Sequence, residues 1–539
     1  MYKIVPLIIL LLVSFAGSTN ITNTEPETTP ETKIGERLFL ETRFARASRY
    51  KRASQEKATR FTLLANGKKL SGAFRGQSIN CRSCHMVDEH KNSPLAGIRT
   101  YSDYARLSPV PDRNNKKKRT LRNSQMMINI TIKGDKHVLL HHDGQFSTLP
   151  DLVVATLTGE NFGWNANEYS EAVKHIAEII RNDNGKDKLA KEFGGSYKKI
   201  LLGTSKSIPN DLRLPAKYRI DVTKATDEQI LKRVSRLIGA YVSDLKFSQK
   251  NGAYNASPYD KFLSLNNLPA KPHKNESDRE YSQRLFAAIQ ELAKPVFVTT
   301  KHGKFESHKQ AFEFGPSQLE GLKLFMTKGV NNKRSGGNCI SCHSAPHFTD
   351  FSFHNTGLTQ INYDKLHGVN KFASLAIPSL AKRKLAHNIY LPKTNKNPDS
   401  KQIFRSALNN NNPLHVDLGL WNTFANPDMP APQKKIRKLL CTQAKQLKLT
   451  NCNDSTLLSL AIASFKTPTL RDLGHSNPYM HSGQFDTLKQ SVNLYIQVGA
   501  LIKTNKIRNA APQLKHINLS ASDSAAIVSF LKSLNEDYE

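Results

Sequence analysis

Two pentapeptides in this chain, CRSCH (Cys81–His85) and CISCH (Cys339–His343), each set two thiols and an imidazole within one short turn of sequence. A matching phrase follows each of them. The first runs TLRN (Thr120–Asn123), then HHDGQFSTL (His141–Leu149); the second runs TLRD (Thr469–Asp472), then MHSGQFDTL (Met480–Leu488), and both lead into an apolar stretch. A unit written twice in the same order at domain-sized separation implies two homologous domains in tandem, each built around its own Cys-x-x-Cys-His.

Cys-x-x-Cys-His is the attachment sequence of c-type haem. The spacing has a mechanical reason: two thiols add across the two vinyl groups, and the adjacent histidine then lies beneath the iron as its proximal ligand. Cys81, Cys84 and His85, and likewise Cys339, Cys342 and His343, are expected to hold two covalently bound haem c groups, with His85 and His343 on iron. A zinc site and a thioredoxin-like dithiol are the competing readings. Export, argued next, weighs against a cytosolic zinc site, and a histidine directly after the second cysteine in both copies weighs against a plain dithiol.

The N-terminus, MYKIVPLIILLLVSFAGSTN, carries a lysine, an apolar run from Ile4 to Phe15, and the small residues Ala16, Gly17 and Ser18. That is the layout of a secretory signal peptide over 1–18, a retained N-terminal anchor being the alternative. No later segment is apolar enough to suggest a span, so the mature protein is expected in the periplasm without a transmembrane helix. Residues 19–34, rich in Thr, Glu and Pro, read as a flexible lead-in. In an oxidising compartment the two remaining cysteines, Cys441 and Cys452, are expected to pair as a disulfide. The net charge of +33 would raise nucleic acid as a partner for a cytoplasmic chain. Export removes that reading, and lysine-rich runs such as NNKKKRT and KKIRKLL become a solvated face that can steer an acidic protein or an anionic membrane surface.

Helical signals dominate the rest. In TDEQILKRVSRLIGAYVSDL, Ile230, Leu231, Val234, Leu237, Ile238 and Tyr241 share one face, and Thr226 with Gln229 forms a capping box. Ser317 with Glu320 is expected to open another helix before Leu322, and Ser520 a last one carrying Ile527, Phe530, Leu531 and Leu534. The expected fold is mainly α: an N-terminal cytochrome c-like haem domain over 35–199, a helical inter-domain region over 200–315, and a C-terminal haem domain over 316–539 with an insert at 366–460. The inserts read equally as partner or substrate platforms and as extra packing helices.

With both haem motifs in place, FKTPTLRDLGHSNPYMHSGQFDTL (Phe465–Leu488) resembles the bacterial di-haem cytochrome c peroxidase and MauG superfamily. The resemblance covers residues 79–165, 337–365 and 461–534, while FHNTG (Phe353–Gly357), LTGENFGW (Leu157–Trp164) and LGLWNTFANPD (Leu418–Asp428) suggest a longer branch than the compact peroxidases. It implies an exported peroxidase that takes hydrogen peroxide at the N-terminal haem and electrons through the C-terminal one, from a small redox protein or a protein substrate. Some relatives close the N-terminal haem at rest with a later histidine; here GIRTYSDYARL (Gly97–Leu107) has none and His90 stands too near His85, so that haem is expected open. The resemblance gives Glu160 the acid/base role in cleaving peroxide. It puts His142 where relatives carry a tryptophan between the haems, as an electron relay or a packed histidine, with Trp164 and Trp421 as other routes. It makes Tyr495 the distal ligand of the second haem, as in MauG, with Met480 as the thioether alternative. It also implies a calcium ion held by Asn123 and the carbonyls of Ser476 and Pro478. A di-haem electron carrier without peroxidase activity and an oxygenase resembling the di-haem rubber oxygenases are the other functions such a chain could have.

Overall fold

The computed structural model describes residues 28–46, 80–81, 84–85, 120–132, 139–306, 308–331, 333–449 and 451–537. The signal-peptide stretch, residues 19–27 of the lead-in, His90 and the segment 97–107 lie outside the described residues; the end of the lead-in, 30–34, is not flexible but helical, because Thr29 caps it and Ile34 is buried.

Each haem motif follows a helix that crosses a later one at very short range. Helix Pro30–Phe39, capped by Thr29, lies across helix Asp227–Asp244, and Gly35 is the crossing point: a Cβ there would sit 2.1 Å from the Leu237 carbonyl oxygen. Helix Pro316–Met326 lies across helix Ala521–Lys532 in the same way, where a Cβ on Gly321 would meet the Ala526 oxygen at 1.9 Å. Backbone cannot yield to a methyl group at such distances, so both crossings require glycine. The tandem organisation read from the motifs thus extends to the helices that frame them, and the described fold is mainly α, as expected.

The capping box of Thr226 and Gln229 forms, and all six apolar residues of that helical face are buried. Ser520 caps the last helix, accepting from the Asp523 N–H. The helix expected from Ser317 and Glu320 begins earlier, at Pro316, with Gly315 as cap and the Gln318 side chain accepting from the Gly315 N–H at 3.0 Å. Proline lacks a donor and has a preset φ, which suits the first helical position and fixes the start at Pro316, one residue ahead of Ser317.

The region 200–315 is divided between two cores. Helix Asp227–Asp244 packs into the N-terminal core with Ile34, Leu38 and Val153, whereas helices Pro258–Leu265 and Asp278–Gln290 pack into the C-terminal core with Leu322, Phe348 and Phe530. The 366–460 insert has a core of its own, centred on Phe404, Trp421 and Ile436, which extends onto Leu139 and Phe353. Cys441 and Cys452 are joined by a disulfide within it. Among the described residues, strands occur only as two antiparallel ribbons, Gln249–Lys250 with Ala253–Tyr254 and Phe353–His354 with Phe465–Lys466. No helix among them is long and apolar enough to cross a membrane.

The repeated phrase folds the same way twice. His141 and Met480 both take positive φ, 66° and 71°, and the bridges Leu140–Phe146 and Tyr479–Phe485 close equivalent loops. Thr148 and Thr487 then cap the helices that follow, Leu149–Leu157 and Leu488–Lys503.

Candidate functional site

Both Cys-x-x-Cys-His motifs open into one cavity of about 1560 Å³, which is larger than the roughly 300–1,000 Å³ typical of a pocket for one small ligand. In each motif the histidine backbone N–H reaches back to the first cysteine carbonyl at 2.9 Å, so that a single turn sets two sulfurs and an imidazole on one wall. Each imidazole is then fixed by its Nδ1: His85 lies 3.0 Å from the Gln125 carbonyl oxygen and His343 2.9 Å from that of Phe348. A carbonyl can only accept, so Nδ1 carries the proton and Nε2 keeps its lone pair for a metal. Burial pushes His85 down to about 4 and lowers His343, so both imidazoles are neutral near neutral pH.

Burial, and then the partner thiols Cys84 and Cys342, push Cys81 and Cys339 up to about 12. A redox dithiol uses its first cysteine as a depressed, nucleophilic thiol, and neither Cys81 nor Cys339 is one. For the second motif, Cys342 comes together with Asp350 and His354 in one group of ligand atoms within 4.8 Å. Cys339 and His343 stand outside that group, so the motif as a whole does not converge on a small ion. Four cysteines outside any disulfide and two oriented imidazoles around a large shared cavity fit two haems.

Glu160 and Tyr495 both line the cavity. Glu160 opens the short 3₁₀ turn Glu160–Phe162 that ends the first repeat's helix. Tyr495 lies within helix Leu488–Lys503; burial, and then Cys342 and Cys339, raise its phenol above the ordinary value. Met480, the alternative ligand, lines the same cavity and packs in the same apolar cluster as Tyr495.

His142 also faces the cavity, with Nε2 3.0 Å from the Asn123 carbonyl oxygen. Its ring centroid is 6.5 Å from that of His481, which stacks on Phe465 at 3.6 Å with planes 8° apart. Burial pushes His142 to about 3 and His481 to about 4, so this aromatic trio is neutral. Trp164 lines the cavity against His175. Trp421 lies in the insert core under Arg383, outside the cavity lining.

Asn123 bridges the two repeats. Its N–H donates to the His481 carbonyl at 2.8 Å, and its side-chain nitrogen lies 2.5 Å from the Pro478 carbonyl oxygen. Its own Oδ1 is buried with no partner among the described residues. Turning the amide over would aim that oxygen at the Pro478 oxygen, an arrangement only a cation between them could hold. Two such oxygens suit a hard cation, and Ser476 is buried two residues before Pro478 in the same loop.

Several neighbours of the site lie outside the Cys-x-x-Cys-His motifs. Arg122 reaches Asp417 of the insert through two nitrogens, at 2.6 and 2.8 Å, and Asp143 of its own repeat at 2.7 Å. Arg405 of the insert stands 3.2 Å from Asp143. Arg471, the counterpart of Arg122, pairs at 3.0 and 3.1 Å with Asp260 from the 200–315 region. Gln145 lies within the repeated phrase, and only its presence in both copies marks it in the sequence.

No family model matches the chain. It is 25% identical over 218 residues to cytochrome-c peroxidase IdrP2 of Denitromonas iodatirespirans, a match covering 40% of this chain and 39% of that protein. It is 37% identical over 76 residues to cytochrome-c peroxidase IdrP2 of Pseudomonas sp. (strain SCT), covering 14% of this chain and 18% of the relative. The matches thus span well under half the length of these curated relatives. Among solved structures, the diheme peroxidase BthA from Burkholderia thailandensis E264 aligns with a TM-score of 0.42 at 15% identity, over 94% of this chain and 86% of the other. A MauG-like protein associated with microbial copper homeostasis aligns at 0.43 and 15% identity, over 95% and 91%. By sequence, parts of the chain thus resemble curated cytochrome-c peroxidases.

Proposed function

We propose that this chain is an exported di-haem c-type cytochrome that reduces hydrogen peroxide at the site of the first motif, with electrons entering through the second. The observation that carries the reading is the shared cavity, which holds both oriented proximal histidines together with Glu160 and Tyr495. The names of the curated relatives support the same chemistry.

Haem held covalently at each motif supplies the redox-active iron through which peroxide takes up two electrons and two protons to give two waters. The protein's own share is positional. His85 and His343 each offer one lone pair in a fixed direction, because a backbone carbonyl holds the other nitrogen. Glu160 takes a proton from one peroxide oxygen and returns it to the other, the general acid/base role of a carboxyl at a cavity wall. His142, His481 and Phe465 form a packed aromatic path between the two repeats for electron passage. Tyr495 is the residue that would cap a haem at the second motif; a phenolate there would favour ferric and higher states, which would move the expected activity towards MauG-like oxidation of a protein or organic substrate. Asn123 with the carbonyls of Ser476 and Pro478 holds calcium at the junction of the repeats.

The disulfide in the insert supports an oxidising compartment, hence export to the periplasm. A small acidic redox protein is the expected donor. Helix Gln433–Gln446 and the turn after it present Lys434, Lys438, Lys445 and Lys448 to solvent, in keeping with the excess of positive charge.

The test is low-temperature EPR of the oxidised, haem-loaded protein, followed by peroxide turnover with a reduced donor. One high-spin and one low-spin ferric signal, with peroxide-dependent donor oxidation, is the expected result. Two low-spin signals without turnover, even after reduction of one haem, would make the protein an electron carrier.

A further inference from the structure

The glutamine of the repeated G-Q-F phrase has its side-chain oxygen tied down in both repeats, by different groups and to different effect. Gln484 Oε1 accepts from Asn362 Nδ2 at 2.7 Å and from Ser482 Oγ at 2.9 Å, and Gln484 does not line the cavity. Gln145 does line it. Its Oε1 lies 3.2 Å from both terminal nitrogens of Arg405 and 3.4 Å from His141 Nδ1.

A guanidinium has donors and no acceptor, so it accepts only the oxygen end of the amide. The Gln145 NH₂ group is therefore turned away from Arg405, and no acceptor among the described residues takes it. Arg405 is itself held. Its side chain is 19% exposed and stands 3.2 Å from Asp143 Oδ2. Arg405 belongs to the 366–460 insert, so a residue outside both repeats sets the orientation of a polar group inside the first repeat's pocket.

We propose that Arg405 is a positioning residue: by clamping Gln145 Oε1 it presents the Gln145 NH₂ group to the cavity as a hydrogen-bond donor for a small oxygen or anion ligand bound at the His85 site. The inference rests on the peroxidase reading for its natural ligand, peroxide. The clamp itself is independent of turnover.

Fluoride is the probe, titrated into the ferric holoprotein and followed by visible absorption, because bound fluoride responds to a donor beside it. Losing one such hydrogen bond corresponds to about tenfold in affinity. Gln145→Leu and Arg405→Leu should each weaken fluoride binding by about that factor, and Arg405→Lys, with one mobile ammonium in place of a planar fork, by less. In the Gln145→Leu background, Arg405→Leu should cost less than about twofold more, since its effect passes through the amide. Haem content and the thermal midpoint serve as folding controls. If Arg405→Leu does not fold, Arg405→Lys with and without Gln145→Leu makes the same comparison. Wild-type protein that binds no fluoride, an Arg405→Leu affinity within twofold of wild type, or an undiminished loss in the Gln145→Leu background would each overturn the clamp. Fluoride coupling without peroxide turnover would remove the peroxidase reading and leave the clamp standing; turnover without coupling would do the reverse.

Discussion

Arg122→Met should loosen the insert from the first repeat. Arg122 is 9% exposed and joins two carboxylates: Asp417, gripped through two nitrogens, and Asp143, an ion pair at 2.7 Å. After the substitution Asp143 still has Arg405 at 3.2 Å, but Asp417 keeps only the Gly419 N–H at 3.0 Å. The cost therefore falls on one buried carboxylate stripped of its cation, about 3–5 kcal/mol. At about 1.4 kcal/mol per factor of ten, backbone amides around 403–424 should exchange on the order of 10²–10³ times faster. Hydrogen exchange read by mass spectrometry is the suitable assay, because it reads the insert separately from the rest of the chain. The control is Arg122→Met with Asp417→Leu, which removes the stranded charge and should recover most of the protection. An Arg122→Met protein with exchange in that region within about tenfold of wild type would refute the reasoning. So would a double variant that is worse than the single one. The pH dependence has a definite sign. Burial alone would raise both carboxyls, but Arg122 outweighs it and holds Asp143 and Asp417 below their ordinary values. Groups with depressed folded pKa values contribute stability that is present above the unfolded value, about 3.9, and lost as pH falls through the folded one. Wild-type docking should therefore weaken only in strong acid, and that acid dependence should shrink in Arg122→Met.

Tyr495→Phe should change the ferric spectrum of one haem and raise its reduction potential, while Met480→Leu should not; the opposite pattern would assign the cap to Met480. Glu160→Gln should keep both haems yet lower kcat with peroxide by about 10²–10⁴, and an unchanged kcat would remove Glu160 from the chemistry. Chelation should lower the unfolding midpoint of wild type but not of Asn123→Ala. Calcium at 100 times its Kd stabilises by about 2.7 kcal/mol, so an equal response in both proteins would exclude Asn123 as a ligand.

What the sequence disclosed was what is local or repeated. The Cys-x-x-Cys-His turns, the Thr226 and Ser520 caps and the paired loops at His141 and Met480 each depend on residues a few positions apart, and such contacts leave a spacing to read. Arg405 on Gln145 and Arg122 on Asp417 join positions hundreds of residues apart, with no periodicity around either arginine. The two-way split of 200–315 was hidden for a related reason. A helical face shows that it is apolar, but nothing local shows which core it will meet. The TLR arginines also bear on whether the inserts are platforms or packing elements. Arg122 pins the 366–460 insert and Arg471 pins the segment around Asp260, so each insertion is fastened to the haem domain whose repeat it touches.

The different roles proposed for the two repeats follow from where one helix stops. After equivalent threonine caps, the first repeat's helix runs for 9 residues and the second's for 16. The stop at Thr158 is followed by Gly159 and the turn that carries Glu160 on the cavity wall, with Gly163 in the left-handed region closing it. In the second repeat the position matching Glu160 is Gly499, still inside the helix, where even a Cβ would lie 3.1 Å from Ile517. A carboxylate cannot be placed there without displacing Ile517, so the second site cannot acquire an acid/base group in the same way. Tyr495 stands at the position matching Thr156, inside the stretch that both helices share and on the cavity lining in both repeats, so there the two sites differ by residue type alone. Extending the first helix by removing the break, for example with Gly159→Ala and Gly163→Ala together, should therefore withdraw Glu160 from the wall. Peroxide turnover should fall as far as it does in Glu160→Gln while fluoride affinity at the first site is retained. A helix-extended variant that kept full turnover would show that the stop is incidental to the chemistry.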